Sequence, residues 1–442
     1  MDHIPEHGNR HSCSTADRET TMPETILIFE DDRVDHLLPL VYFRPVYDLR
    51  CGITTLREKV RRAYPEATLA LHCRPMLADL LRSQNPDAQV NELRAGHCLM
   101  INGRAVVDQA FAASIPAAGG DAAYVSHGSI VAARVSGKRL EQLVRALSRP
   151  LTPDDFTGLP EEKVDVQLIS YPWELVSRNG EQIAADVSRM KGWPASSRIR
   201  GKVYDGAMLI NRENIYIDEG AAVKPGTVID AEEGPVYIGR KARVFPNATI
   251  EGPAFVGDGS LIKIGAKIYE NTSIGEMCKV GGEVEESIIH SFSNKQHDGF
   301  LGHAYLGMWV NLGADTNNSD LKNNYSTVRV ILNGVEVDTG SLFVGLIMGD
   351  HSKSGINTMF NTGTVVGVGC NVFGGGYPPK YIPSFCWGGA ESLTTYDIER
   401  CIEVAKRVMA RRKQTLSPAE DGLFKSLFAS TADLRRGVGI TG

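Results

Sequence analysis

Starting at Ile238 and stepping by six, the chain meets Val244, Ile250, Val256, Ile262, Ile268, Ile274 and Val280, an unbroken row of β-branched aliphatics. Four residues after each of the first seven stands a small residue: Ala242, Ala248, Ala254, Ser260, Ala266, Thr272 and Cys278. This period matches neither a helix, at about 3.6 residues, nor a strand, at about 2. A fixed repeat of this kind marks a solenoid. The aliphatic points inward and the small residue fits the tight corner of a triangular coil, so the pattern predicts a left-handed parallel β-helix over 200–389. The period resumes at Phe300, Leu306 and Leu312, and again at Val344, Ile356 and Val368. Between them, "NNYSTVRVILNGVEVDTGS" reads as an excursion from the coil. The many Gly and Asn residues from Ser293 to Val328 suit corners that need positive φ.

Upstream the pattern is different. "ILIFED", "ATLALHC" and "CLMINGRAVVD" read as strands. "TTLREKVRRAYP", "PMLADLLRSQ" and "GKRLEQLVRALS" read as helices, the first opened by a threonine cap and closed by a proline. Strands alternating with helices predict a Rossmann-like α/β domain over 25–192. A helical connector follows from Tyr171 to Met190, then a linker, "KGWPASSR". After the coil, Ile398, Ile402, Ala405, Val408 and Met409 recur at helical spacing, which predicts a helical extension over 390–442. The polar residues 1–24 lack the apolar core of a signal peptide and are expected to be a disordered tail.

Composition narrows the function. The chain has 442 residues, 42% hydrophobic and 23% charged, which fits a soluble protein of two or three domains. A net charge of -6 argues against a general nucleic-acid partner. No apolar run is long enough for a membrane span. The eight cysteines form no C-x-x-C pair, which removes zinc-ribbon and thioredoxin-type readings and suits a reducing, cytoplasmic setting.

"QHDGFLGHAYLG", then "VNLGADT", then "NNY" resemble the G-H-x-x-Y-x-G-D, V-N-I-G-A-G-T and N-Y-D segments of one family. It is the GlmU-like bifunctional N-acetylglucosamine-1-phosphate uridylyltransferase/glucosamine-1-phosphate acetyltransferase family. The resemblance implies that His297 is the catalytic base, and imidazole suits that work because its pKa lies near the working pH. It implies that Asn311, Gly313, Ala314, Thr316, Asn324 and Tyr325 hold the acyl-CoA or the acceptor. Acetyl-CoA or another acyl-CoA is then the donor, a sugar phosphate or nucleotide sugar the acceptor, and the assembly a homotrimer. Two departures stand out. The family tyrosine after the histidine is Phe300, and Glu283, Glu285 and Glu286 lie where the family has phosphate-gripping lysines. Lys295 and Lys322 are left as nearby cations.

In the first domain, Leu40, Arg44 and Pro45 match the family's L-x-P-L-T-x-x-R-P-K-P-L segment, with Val46 in place of its lysine. The Gly-rich phosphate loop is replaced by "FEDDRVDHL", whose Asp31, Asp32 and Asp35 would repel a triphosphate. Arg104 stands where the family has a Mg²⁺-binding aspartate. The expectation is a degenerate nucleotidyltransferase domain, with Arg44 and Arg104 as phosphate-binding candidates and Mg²⁺ required only if it is active. No other metal site is expected. Three rival readings are an active sugar-1-phosphate nucleotidyltransferase, a non-catalytic sugar-nucleotide sensor or scaffold, and a γ-class carbonic anhydrase. The last would draw zinc ligands from His290, His297, His303 and His351. The corner "GDHSKSG" is a further candidate border of an acyl-CoA groove.

Overall fold

The computed structural model describes residues 25–116, 119–189 and 195–440, so the expected tail lies outside the described residues. The first domain is a seven-stranded sheet. Its order is Gln89–Val90, Thr68–Leu71, Thr25–Phe29, His97–Asn102, Ser129–Ser136, Ala122–Ser126 and Glu161–Lys163. The first four strands are parallel, as the alternation of strands and helices predicts. The next two form an antiparallel hairpin set against His97–Asn102. Its two-residue turn, His127–Gly128, has positive φ at both positions, the geometry of a type I′ hairpin turn. The helix Leu56–Ala63 starts at a capping box, in which Thr55 and Glu58 satisfy each other's backbone N–H.

Beyond Gly201 the chain winds into three parallel sheets, two of six strands and one of nine. Each strand pairs with its counterpart one turn later, as Ile238 does with Val256 and Val256 with Ile274. All eight aliphatics of the six-residue row and all seven small corner residues are buried. With Leu306, Leu312, Met348 and Phe360 they line the inside of the coil.

Four row positions need correction: Phe300, Val344, Ile356 and Val368, of which Val344 and Val368 are buried in the core outside the coil. After Val280, the inward positions fall at Val284, Ile289, Lys295, Leu301, Leu306 and Leu312, because one sheet-to-sheet corner is shortened by two residues and others by one. Phe300 therefore pairs with Glu283 and faces outward, and Leu301 takes its place inside. In the last coils the inward row is Met348, Ser354, Phe360, Val366 and Val372. Ile356 sits on a corner and is 71% exposed. The excursion closes on itself as a hairpin, Arg329–Leu332 against Val335–Asp338.

The helices Ile398–Ala410 and Pro418–Ser430 return along the coil. Phe424 inserts between Phe43 of the first domain and His351 and Phe385 of the coil. One hydrophobic core therefore runs through all three regions. The segment 44–55 forms the seam between domain and coil. Arg44 makes a buried two-point ion pair with Asp350, and Arg50 Nη2 lies 2.7 Å from both carboxylate oxygens of Glu276. Ser273 Oγ donates to Gly52 O at 2.9 Å.

Candidate functional site

His297 lies on an exposed corner of the coil, and its imidazole has no hydrogen-bond or ion-pair partner among the described residues. The following turn stacks directly on this corner. Leu312 N donates to Asn294 O at 2.9 Å, and Asp315 N to Asp298 O at 3.0 Å. The structure thus brings His297 and the Asn311–Thr316 turn onto adjacent rungs.

The rung above is tightly built. Gly313 N donates to both the carbonyl and the hydroxyl oxygen of Ser354 at 3.1 Å. A Cβ on Gly313 would come within 2.3 Å of Gly355 O. Thr316 is buried and shares a 2.8 Å hydrogen bond with Ser354. Gly299 has φ 113 and faces Thr316 O, which a Cβ would meet at 2.3 Å. Ala314 N–H has no partner among the described residues, so one backbone donor of this corner remains open. Asn311 Oδ1 accepts from Asn294 Nδ2 at 3.3 Å, and Arg412 Nη2 donates to Asn294 Oδ1 at 2.7 Å. Arg412 had no signal in the motif; only the fold carries it back to Asn294.

Asn324 and Tyr325 stand apart, on the exposed excursion. Asn324 Oδ1 accepts from Ser326 N and Oγ, Tyr325 N donates to Lys322 O, and the tyrosine ring is 70% exposed. Lys322 Nζ is also bound locally, to Ser326 Oγ and Thr327 O.

The other histidines have separate surroundings. His303 stacks on Phe343 and lies between Asp320, 2.9 Å from Nδ1, and Glu286, 3.4 Å from Nε2. Burial alone would lower its pKa, but the two carboxylates outweigh burial and raise it to about 9. His290 accepts from Ser291 N and faces Asp48 O. His351 is buried among Phe43, Trp309 and Phe424, and burial holds its pKa well below the ordinary value. Within the chain the four histidines do not assemble a zinc site; among the described residues no group of three or more His, Cys, Asp or Glu is arranged to hold a metal ion. In the corner "GDHSKSG", Asp350 and His351 are buried in the seam and line a cavity shared with Arg44, His290 and Trp309.

The first domain departs most from expectation. In open α/β sheets, ligands bind beyond the carboxyl ends of the parallel strands. Here those ends are tied to one another. Arg104 is 1% exposed and holds Asp31, with Nε 2.9 Å from Oδ1 and Nη2 2.5 Å from Oδ2. Asn102 donates to the same carboxylate at 2.9 Å, and Arg104 Nη1 to Ile169 O at 2.8 Å. Beside them Glu30 accepts from Arg74 Nε at 3.1 Å and from Val46 N at 3.0 Å.

The phosphate role expected of Arg44 and Arg104 is therefore corrected. Both guanidinium groups are buried and neutralised, Arg44 by Asp350 and Arg104 by Asp31. The partner of Asp48 is Arg57, whose Nε is 2.8 Å from Oδ1 though out of line for a hydrogen bond. These residues do not fit Mg²⁺, because a guanidinium fills the place of the metal aspartate.

Residues 26–192 match the sequence model of the family described as sugar nucleotidyl transferase. The bifunctional protein GlmU of Synechococcus elongatus is 28% identical over 211 residues, 43% of this chain and 43% of that protein. The bifunctional sugar-1-phosphate nucleotidylyltransferase/acetyltransferase of Sulfurisphaera tokodaii is 29% identical over 191 residues, 38% of this chain and 47% of that protein. The chain thus spans less than half the length of these curated relatives. Among solved structures, the UDP-N-acetylglucosamine acyltransferase of Francisella novicida overlaps 54% of this chain and 85% of its own, at 15% identity and a TM-score of 0.26. No helix among the described residues is long and apolar enough to cross a membrane.

Proposed function

We propose that this chain, a GlmU-like protein with a sugar nucleotidyl transferase-type first domain and a hexapeptide-repeat coil, transfers an acyl group from acyl-CoA to an amino sugar phosphate or nucleotide sugar. The observation that carries the proposal is the corner where an unpartnered, exposed His297 stacks beneath the Asn311–Thr316 turn. His297 accepts a proton from the acceptor amine as that nitrogen attacks the thioester carbonyl; the C–S bond then breaks and the CoA sulfur leaves, taking the proton from the His297 imidazolium. In this reading the Ala314 N–H, which has no partner among the described residues, donates to the oxygen on which negative charge develops. The exposed corner leaves room for a neighbouring subunit, and a homotrimer would enclose the donor between coils.

Under this reading the first domain does not transfer nucleotides. The buried Asp31–Arg104 ion pair at the strand ends supports this reading, and the domain then serves as a binding or structural partner of the coil. The test is CoA release from acetyl-CoA across amino sugar phosphates and UDP-amino sugars. His297→Ala should lower turnover by roughly a hundredfold or more. Pyrophosphate release from nucleoside triphosphates, measured on the same protein, should be absent; its presence would restore the nucleotidyltransferase reading.

A further inference from the structure

Lys295 occupies an inward position of the coil. It pairs in register with Val280, and its neighbours along the inward row are Val284, Ile289 and Leu301. Its side chain is 1% exposed. Placing an ammonium among aliphatics is costly, and an apolar residue of similar volume is often more stable at such a site.

The ammonium has defined partners. Nζ donates to His297 O at 2.8 Å and to Gly281 O at 3.1 Å. It therefore joins two successive rungs from the inside, and one of its two anchors is the backbone of His297 itself. Gly282, with φ 71, makes this possible: a Cβ there would lie 2.6 Å from Nζ, 2.7 Å from His297 O and 2.8 Å from Gly299 O. Three polar atoms thus converge on a glycine that leaves them room. Burial pushes the Lys295 amine down to about 8, against the opposing pull of Asp298, Asp315 and Glu283.

We propose that Lys295 is a positioning residue, holding the 297–299 corner from inside the coil so that the His297 imidazole is presented outward in one orientation. The inference rests on His297 as the base, but its geometry can be tested without activity. Local strain or buried charge is retained where a site needs a fixed conformation, at a cost in stability. Lys295 is the residue of the inward row that carries such a cost, and it bonds to the corner bearing His297.

The test compares the full-length wild type with Lys295→Met, His297→Ala and, as a control, Leu301→Met at the next inward position along the chain. Three quantities are read: the thermal midpoint, the His297 imidazole ¹H–¹³C resonance (assigned by its loss in His297→Ala), and CoA release. Lys295→Met is expected to melt at or above the wild-type temperature, because an ammonium leaves the apolar interior. Its His297 resonance is expected to shift or split. Its kcat should fall roughly tenfold to a hundredfold, with little change in KM for acyl-CoA. Leu301→Met should leave the His297 resonance in place.

A folded Lys295→Met with unchanged resonance and unchanged kcat overturns the inference. If the wild type releases no CoA with any acceptor, the acyl-transfer reading fails, and the resonance alone decides whether Lys295 positions the corner. Should Lys295→Met not fold, Lys295→Gln is read in the same way, and an unmoved His297 resonance in it also overturns the proposal.

Discussion

His303 has the stability signature opposite to that of a buried neutral imidazole. Held between Asp320 and Glu286, its pKa is raised to about 9 from an ordinary value of about 6.5. A raised pKa means that the folded state binds the proton more tightly than the unfolded chain does. The contribution is complete below about pH 6.5 and is lost as the pH rises through about 9. The group is mostly buried, so the effect should be on the order of 1–3 kcal/mol. Urea unfolding midpoints for wild type and His303→Gln should converge across this window, and parallel curves would refute the assignment. Legibility at this scale followed the motif. That Asn311, Gly313, Ala314 and Thr316 form a turn of the coil is legible because a corner constrains residue type at each position. Lys295 is not legible in this way. In sequence it looks like any surface lysine, and its inward direction appears only once the shortened corners have shifted the register.

Individual hexads follow their inward residue. Ile250 is fully buried in the row, and Ile250→Ala should cost about 2–5 kcal/mol through lost burial and the cavity left behind. Lys267→Ala, on the exposed face of the next rung, should stay within about 0.5 kcal/mol. Chemical denaturation of the pair tests the inward–outward assignment. The six-residue row was legible while every corner had the same length, from Ile238 to Val280. It failed at Phe300, because the steps after Val280 are four and then five residues. It failed again in the last coils, where Met348, Ser354 and Phe360 lack the β-branched mark that made the first row visible. In the first domain the antiparallel hairpin went unread because its turn, His127–Gly128, is only two residues long and sits in a run that otherwise reads as one strand.

The whole molecule is held by charge pairs buried in its seam. Removing one member of the Arg44–Asp350 pair leaves the other charge uncompensated, so Arg44→Met or Asp350→Leu alone should cost about 3–5 kcal/mol. The double variant should recover much of that loss, because two apolar groups replace two charges. A double-mutant cycle by denaturation checks it, and additive single costs would show that the pair is not coupled. Neither pairing could be read from sequence, since Arg44 and Asp350 lie 306 positions apart. The seam also draws on the helix Asn179–Ser188, where Ile183 and Val187 pack with Tyr216, Tyr237 and Phe255 of the coil. The seam contacts are non-covalent, and the first domain's share of them comes from residues that precede the coil, while the coil and its trailing helices supply the rest. For protein engineering, this makes the stretch just after that helix a natural cut point: two fragments co-expressed from separate messages should assemble into one particle, with the peptide bond between them dispensable.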